Sequence, residues 1–342
     1  MRKILNIITG IIKVVFLLGF LIFIHEGGHF IVAKLCGVKV KEFSIGFGPK
    51  IFSKQGDYTK YSIRAIPLGG FVEMLGENEN LEEEGAFSNS KVSKRIAIVS
   101  AGALVNIIFG ICVYFLLMTF SGVNSSTVIK SLIKDYSNEN SVLQPGDEIL
   151  SINGNRTRIK SDVDNILYNS NGDDIQVVVL RNNENVELKV TPIEINYGDS
   201  KRYILGVEVE RAEKNIKNNT YYGFWETMNF LKSTGDGLLK LITGKVQVVQ
   251  MTGPVGISEM VVKTNGVYDF VYLLAVISIS LGITNLLPIP ALDGGKILLL
   301  IIEAIRRKKI SEEVELELQS IGFTFLIILS LYVSFNDVSR LF

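Results

Sequence analysis

His25-Glu26-Gly27-Gly28-His29 lies within an apolar stretch that covers residues 4–36. The five residues fit the pattern H-E-x-x-H, which on a helix places two imidazoles four residues apart on one face. Both histidines can then bind a single metal ion, while Glu26 reaches a water at the metal rather than the metal itself. The motif therefore predicts a metal site inside a segment long enough to span a bilayer.

The surroundings of the motif strengthen this prediction. His25 and His29 are the only two histidines of the 342-residue chain. Ionisable side chains are costly in an apolar span, so a functional site is the default interpretation of such residues. The alternative is a chance match, or two histidines packed in a helix core. A divalent cation lowers the cost of burying Glu26 and two imidazoles, which favours the metal site.

The whole chain alternates between apolar and soluble parts. Its 35 Lys+Arg and 35 Asp+Glu residues give a net charge of zero, which does not support a basic nucleic-acid-binding surface. Two cysteines are too few for a disulfide framework. The predicted fold class is a polytopic α-helical membrane protein with about four transmembrane helices, a membrane-associated β-hairpin region and an inserted α+β domain that is PDZ-like.

The predicted segments follow the composition along the chain. They are a first transmembrane helix at 1–36, a β-hairpin region at 37–95, a second transmembrane helix at 96–120, a PDZ-like domain at 122–212, an interfacial helix and linker at 213–265, a third transmembrane segment at 266–305, a loop at 306–318 and a fourth transmembrane helix at 319–336. Arg306-Arg307-Lys308-Lys309 predicts a cytoplasmic loop by the positive-inside rule. The hairpin region then also faces the cytoplasm, and the PDZ-like domain lies outside it. Arg2 and Lys3 favour the opposite orientation.

Alternating patterns predict strands in both soluble parts. In the hairpin region they cover residues 43–47 and 61–66. In the inserted domain, strands are predicted at 175–180 and 186–190, joined by an Asn-rich turn. The string LQPGDEILSINGN at 143–155 resembles the turn-strand-turn signature of PDZ domains. Whether this domain binds peptide ends or only excludes bulky substrates is left open by the sequence.

Two further segments precede the third apolar region. Residues 221–242 mix Trp225 and other large apolar residues with lysines, which is typical of a helix lying in the membrane interface. A helix packed on the soluble domain is the alternative. Residues 253–257, Gly-Pro-Val-Gly-Ile, predict a turn.

A third metal ligand is predicted in the third apolar region. A catalytic zinc usually has three protein ligands, and without a third histidine the remaining one is Asp, Glu or Cys. Residues 285–295, NLLPIPALDGG, contain two prolines and a glycine pair that forbid a continuous helix. Asp293 is the sole carboxylate between Asp269 and Glu303, and its charge with that of Glu26 balances a divalent ion. A role of Asp293 as the N-cap of a helix over 294–305 is compatible with ligation.

These motifs together resemble the site-2 protease family of intramembrane zinc metalloproteases, in its bacterial regulator-of-sigma-E protease (RseP/RasP) branch. The resemblance covers nearly the whole chain, including residues 46–49 and 253–257. It implies that His25, His29 and Asp293 bind Zn²⁺ and that Glu26 is the catalytic base. It also implies a multi-pass protein of the bacterial inner membrane, with its active site toward the cytoplasm. The implied substrates are single-span membrane proteins such as trimmed anti-sigma factors, or signal-peptide remnants.

Several residues are predicted to contact the substrate. They are Asn285, Asn106, Gly46, Phe47 and Gly48. Asn106 either serves the site or forms a hydrogen bond between helices, and the hairpin region is expected to receive an unwound substrate by strand addition. The rival interpretation is a catalytically silent membrane adaptor that binds peptides through its PDZ-like domain. A metal transporter is the weakest alternative, since it needs ionisable residues along several spans.

Overall fold

The computed structural model describes residues 2–77, 79, 81–122, 124–133, 142–197, 200–244 and 252–341. The chain divides into two compact units, residues 1–113 with 246–342, and residues 114–245. The helices are α1 Arg2–Leu35, α2 Val92–Ser121, α3 Lys160–Tyr168, α4 Ile216–Ile242, α5 Pro254–Val262, α6 Val267–Asn285, α7 Asp293–Arg306 and α8 Glu312–Leu341. The strands are β1 Val40–Gln55, β2 Lys60–Met74, β3 Ser125–Leu132, β4 Glu148–Ile152, β5 Asn155–Arg156, β6 Ile175–Arg181, β7 Glu184–Val190, β8 Ile193–Tyr197, β9 Ser200–Ile204 and β10 Val207–Arg211.

Four of the helices are long and apolar enough to cross a membrane, as the sequence predicts. The candidate spans in the described residues are Ile8–Leu35, Val92–Ser121, Val267–Asn285 and Glu312–Arg340. Many of their large apolar side chains are exposed, including Phe16, Ile108 and Phe323. Exposed apolar side chains along such helices suit contact with lipid. The polytopic helical class is therefore confirmed.

Glycines let the spanning helices approach each other closely. A Cβ built on Gly28 of α1 would lie 2.7 Å from the carbonyl oxygen of Ala101 in α2. On Gly282 of α6, it would lie 2.5 Å from the carbonyl oxygen of Ala103, also in α2. Inside a membrane, where apolar burial brings little gain, such close backbone packing is a main source of helix association. The glycines thus set where α1 and α6 contact α2.

The third apolar region is broken, as its composition predicts. The helix α6 ends at Asn285, and α7 begins at Asp293 after a turn in which Ala291 has a positive φ of 74°. The glycine pair is required at this point. A Cβ on Gly294 would lie 2.2 Å from the carbonyl oxygen of Leu287, and one on Gly295 would lie 2.3 Å from that of Ile289. The turn therefore folds directly over the start of α7.

The short helix α5 corrects one prediction, because residues 253–257 do not form a simple turn. They contain the helix start, with a proline at the first helical position, where its missing N–H costs nothing. Both ends of α5 have charged partners from other helices. Asp337 Oδ2 of α8 accepts a hydrogen bond from Gly256 N at 2.8 Å, and Lys13 Nζ of α1 donates to Thr264 O at 2.9 Å. A carboxylate at the N-terminus and a cation beyond the C-terminus both complement the helix dipole.

The predicted hairpin region forms a two-stranded sheet in which each strand bends back on itself. Val40 at the start of β1 pairs with Met74 at the end of β2, and Gln55 pairs with Lys60 next to the connecting turn. Phe43 pairs with residues in both halves of β2 and packs against Phe30 of α1, with ring centroids 5.0 Å apart. The sheet is therefore anchored to the helix that carries the HEGGH motif.

A buried carboxylate holds the hairpin together. Glu42 accepts hydrogen bonds from Ser62 Oγ at 2.6 Å, Arg64 Nη2 at 2.8 Å and Lys50 Nζ at 2.9 Å. Burial alone raises the pKa of a carboxyl group, but these three donors outweigh burial and lower the pKa of Glu42 to about 2. The carboxylate is therefore ionised at every physiological pH, and it joins both strands of the sheet.

The inserted unit contains the predicted α+β domain. Its main sheet has the strand order β10-β3-β4-β6-β7, with β5 paired to β4, and β8 and β9 form a separate pair. The predicted strands at 175–180 and 186–190 are present as β6 and β7. Asn182 and Asn183 between them have φ of 51° and 66°, the left-handed conformation of a tight hairpin turn. The PDZ-like classification of this domain stays a prediction.

The helix α4 packs on the inserted domain, which supports the second of the two interpretations of residues 221–242. The Arg158 guanidinium lies 4.0 Å from the centre of the Trp225 ring, a cation–π contact. Ser161 Oγ donates to Glu226 Oε2 at 2.5 Å. Polar and aromatic residues of α4 are thus used within the domain itself.

Candidate metal centre

Three side-chain atoms converge between α1 and α7. His25 Nε2 and His29 Nε2 are 3.2 Å apart, and Asp293 Oδ2 lies 3.3 Å from the first and 3.5 Å from the second. Zinc binds nitrogen and oxygen ligands at about 2.0–2.1 Å, so the corners of its tetrahedron are about 3.3–3.4 Å apart. The three atoms match this spacing. Among the residues that the structure describes, these three form a cluster that could hold a metal ion.

The local folding of the chain explains how these ligands meet. His25 and His29 are one helical turn apart on α1, and Asp293 is the first residue of α7. The N-cap position belongs to Leu292, so the predicted additional role of Asp293 as an N-cap is wrong. Asp293 Oδ2 is buried, and apart from the Nε2 atoms of His25 and His29 it has no hydrogen-bond partner. A buried acceptor without a donor is costly unless a cation compensates it, which fits a metal ligand.

His29 is held in the form that a metal ligand needs. Its Nδ1 lies 2.8 Å from the carbonyl oxygen of Ile98, which can only accept a hydrogen bond. Nδ1 therefore carries the hydrogen, and the lone pair of Nε2 points toward His25 and Asp293. Gly102 makes room for this ring, because a Cβ there would lie 2.3 Å from His29 Nε2.

A cavity of about 230 Å³ adjoins the three ligand candidates. It is lined by His25, Glu26, His29, Phe71, Val72, Met74, Glu77, Val99, Asp293 and Lys296. The strand β2 passes close to Glu26, since a Cβ on Gly70 would lie 3.2 Å from Glu26 Cγ. A second cavity of about 730 Å³ shares Glu77, Asp293 and Lys296 and extends between α7 and α8. The centre is therefore accessible to a ligand larger than water.

The predicted substrate-contact residues fall into two groups. Asn106 of α2 is at the centre, with its Nδ2 3.4 Å from His25 Nδ1. Asn285 ends α6 and does not line the 230 Å³ cavity. Gly46, Phe47 and Gly48 also do not line it. Gly46 and Gly48 have φ of 86° and 79° and shape the bend of β1, while the cavity wall comes from residues 71–74 of β2.

Two charged residues that line the cavity were not predicted from the sequence. Lys296 Nζ donates to Glu77 Oε1 at 2.9 Å, and both side chains are about four-fifths buried. Lys296 follows Asp293 by three residues on one helix, so the helical period could have placed it near the site. Glu77 lies beyond the end of β2, and only the folded structure brings it there.

Comparison with known proteins agrees with this geometry. Residues 13–329 match the sequence profile described as "Peptidase family M50". The chain belongs to peptidase family M50. Its family M50 relatives include "Zinc metalloprotease RasP" of Bacillus licheniformis, which is 32% identical, the match covering 97% of this chain and 99% of the relative. They also include "Regulator of sigma-W protease RasP" of Bacillus subtilis, which is 30% identical over 98% of this chain and 99% of the relative.

Membership of family M50 confirms three of the predictions. The resemblance to site-2 proteases is correct, the enzyme class is a metallopeptidase, and the cofactor is zinc.

Proposed function

We propose that this chain is an intramembrane endopeptidase that hydrolyses peptide bonds within or near the membrane-spanning segments of single-span proteins. In this proposal His25, His29 and Asp293 hold Zn²⁺, and Glu26 is the catalytic base. One observation carries it: three ligand atoms 3.2–3.5 Å apart lie among apolar helices, and Glu26 lines the same cavity. The donor set of two imidazoles and one carboxylate is that of known catalytic zinc sites.

The chemistry divides between the metal and Glu26. When bound, zinc supplies Lewis-acid polarisation of the scissile carbonyl and activation of water. Glu26 follows His25 directly in α1, so its carboxylate faces the cavity rather than completing the ligand set. It accepts a proton from the attacking water and delivers that proton to the leaving amine.

Substrate presentation is proposed to use β2. The segment 70–74 pairs with β1 through one edge, and among the described strands none pairs with its other edge. Phe71, Val72 and Met74 of this segment line the cavity beside Glu26. A substrate helix must unwind before its carbonyls can be attacked, and an open strand edge offers replacement hydrogen bonds. This arrangement supports strand addition at residues 70–74 rather than at residues 46–48.

We also propose an orientation of the chain in the membrane and a class of substrates. The basic run at 306–309 supports a cytoplasmic position for the loop after α7, with the centre toward that face and the inserted domain on the other side. The B. subtilis relative is named "Regulator of sigma-W protease RasP". This name supports membrane-bound anti-sigma factors as one substrate class, with signal-peptide remnants as another. The proposed partners are therefore such substrates and the lipid bilayer, and not nucleic acid.

The Glu26→Gln variant tests the enzyme. Purified in detergent, it is expected to keep the zinc content of the wild type and to lose cleavage of a single-span substrate. Substrates are obtained by trapping with this variant in cells and identifying the bound proteins by mass spectrometry. Cleavage by Glu26→Gln at the wild-type rate would overturn the role of Glu26.

The adaptor interpretation has one observation in its favour. A groove of about 210 Å³ lies between α3 and residues 204–209, with Val163, Leu167, Leu205 and Val207 among its apolar walls. The strand β10 is an edge strand of its sheet, so a peptide can add to it. The substitution Val163→Glu is expected to abolish peptide capture by this groove. An adaptor would lose its function with this variant and keep it with Glu26→Gln, whereas the enzyme loses cleavage with Glu26→Gln.

A further inference from the structure

Asn106 is fully buried, and only one of its two side-chain polar atoms has a partner. Its side-chain Nδ2 lies 3.4 Å from His25 Nδ1, and its Oδ1 is buried with no hydrogen-bond partner. Its backbone carbonyl accepts a hydrogen bond from Ser278 Oγ of α6 at 2.8 Å. The backbone is thus fixed against α6, while the side chain points toward the metal centre. A buried amide oxygen without a donor is costly and requires an explanation.

The two histidines differ in what faces their Nδ1 atoms. His29 Nδ1 faces a carbonyl oxygen, that of Ile98, at 2.8 Å. His25 Nδ1 faces the Asn106 amide. Ile98 and Asn106 both belong to α2, so this helix supplies the neighbour of each ring. A histidine that binds a metal through Nε2 carries its hydrogen on Nδ1, and that hydrogen needs an acceptor.

The amide of Asn106 can meet either form of His25. With Nδ2 toward the ring, it donates to Nδ1, and the ring hydrogen is then on Nε2, beside Asp293 Oδ2 at 3.3 Å. That tautomer pairs His25 with Asp293 and does not suit a metal ligand. Rotation of the amide by half a turn exchanges two atoms of similar size and places Oδ1 toward Nδ1. The same rotation gives Oδ1 a donor, while Nδ2 moves to the place that Oδ1 leaves.

We propose that Asn106 is a positioning residue for zinc binding, because its Oδ1 accepts the Nδ1 hydrogen of His25 and holds that ring in the metal-binding tautomer. It acts through His25 and does not bind substrate. This inference rests on the proposed function, since it takes His25 as a zinc ligand. The orientation of one amide then determines which of two tautomers His25 adopts.

Two substitutions separate this role from packing. Asn106→Leu keeps the shape and removes the acceptor. Asn106→Asp also keeps the shape. Its ionised carboxylate can accept a hydrogen bond but cannot donate one. In zinc competition with a chromogenic chelator, purified Asn106→Leu is expected to bind zinc 10–100-fold more weakly than the wild type, the usual cost of losing such a partner. Asn106→Asp is expected to bind within about threefold of the wild type or more tightly.

Ser278→Ala is the matched control, since it removes the hydrogen bond to the Asn106 backbone without touching His25. It is expected to bind zinc like the wild type. Equal zinc affinity of Asn106→Leu and wild type would overturn the proposal. Equal weakening in Asn106→Leu and Asn106→Asp would do the same, because it would show that the acceptor is not what matters.

Nitrogen-15 NMR gives a second readout, independent of affinity and of activity. The chain has two histidines, so ¹⁵N-histidine labelling reports on His25 and His29 alone. With zinc bound, the Nδ1 resonance of His25 is expected to shift in Asn106→Leu, while that of His29, paired with Ile98, stays unchanged. An unchanged His25 resonance would contradict the proposal even if zinc binding were weakened by misfolding.

His25→Ala distinguishes a failure of this inference from a failure of the proposed function. If His25→Ala keeps wild-type zinc affinity, then His25 is not a ligand and both fail. If His25→Ala loses zinc while Asn106→Leu does not, only the role of Asn106 is wrong. In the His25→Ala background, adding Asn106→Leu is expected to change zinc binding no further.

Discussion

Lys296 Nζ lies 2.9 Å from Glu77 Oε1, and the pair forms part of the wall of the cavity that holds Glu26 and Asp293. The pair joins α7 to the segment that follows β2. It therefore connects the helix that carries one ligand candidate to the strand proposed to receive the substrate. Because both side chains are largely buried, their attraction is less screened than that of a surface pair.

The first prediction concerns this ion pair. Lys296→Met leaves the Glu77 carboxylate without its partner, and we expect kcat/KM for a single-span substrate to fall about tenfold, which corresponds to about 1.4 kcal/mol. Combining it with Glu77→Gln is expected to restore part of the loss, because no unpaired charge then remains. Lys189→Met, which breaks the exposed pair with Asp174, is the control and should leave kcat/KM unchanged. Additive effects of the two cavity substitutions would contradict a direct interaction.

The second prediction concerns the pH dependence of the hairpin. The pKa of Glu42 is lowered to about 2, so its hydrogen bonds contribute stability above its ordinary pKa of 4.5, and this contribution is lost as the pH falls toward 2. We expect Glu42→Gln to destabilise the hairpin by about 2 kcal/mol at pH 7. Hydrogen exchange of β1 and β2 amides measures this difference, which should be constant from pH 7 to 5 and shrink between pH 4.5 and 2.

The control for Glu42 lies on the same hairpin. Glu73 is exposed and its contact with Lys41 is 3.8 Å long, so Glu73→Gln should change hydrogen exchange very little at any pH. A difference between Glu42→Gln and the wild type that persists unchanged at pH 3 would show that the ionised form of Glu42 is not the source of the stability.

The third prediction uses the two neighbouring glycines of the HEGGH motif. A Cβ on Gly27 has no atom within 4 Å, whereas one on Gly28 would lie 2.7 Å from the carbonyl oxygen of Ala101. Gly27→Ala is therefore expected to keep full zinc content and to raise the melting temperature slightly, since alanine favours a helix. Gly28→Ala is expected to lower both by forcing α1 away from α2. Metal analysis and thermal unfolding measure the zinc content and the melting temperature of both variants. Equal values for Gly27→Ala and Gly28→Ala would refute the close packing of α1 on α2 at Gly28.

The fourth prediction concerns the third ligand. Asp293→Asn should lower the zinc content of the purified protein, because an amide is a weaker ligand and leaves the charge of the ion less balanced. Asp269→Asn is the control: Asp269 accepts a hydrogen bond from Asn265 N near the start of α6 and has no place in the cluster. An unchanged ratio of metal to protein in Asp293→Asn would remove Asp293 from the ligand set.

Much of the fold followed from patterns that are local in sequence. Runs of apolar residues predicted four spans, and the spacing of His25 and His29 placed both rings on one helix face. Asp293 was found because a lone carboxylate beside two prolines has few other uses in a membrane. The start of α5 was missed because Gly-Pro is typical of a turn and equally of the first residues of a helix.

The remaining features depend on contacts that no local pattern contains. The pairing of Asn106 with His25 requires that α1 and α2 cross at Gly28 and Gly102, and only the packed helices show where they cross. Glu77 reaches Lys296 because β2 folds back along α1. The sequence pattern likewise could not show which strand segment lies beside the site. Residues 46–48 shape the bend of β1, whereas residues 71–74 of β2 contribute to the cavity wall.

The position of the three ligand candidates along the chain has a consequence for biosynthesis. Two of them are present as soon as the first span is made, but the third follows the entire inserted domain and the span after it. A nascent chain therefore lacks one of the three ligand candidates until α7 has been synthesised. Translation order alone then prevents the three-residue cluster from assembling while the inserted domain is still being made.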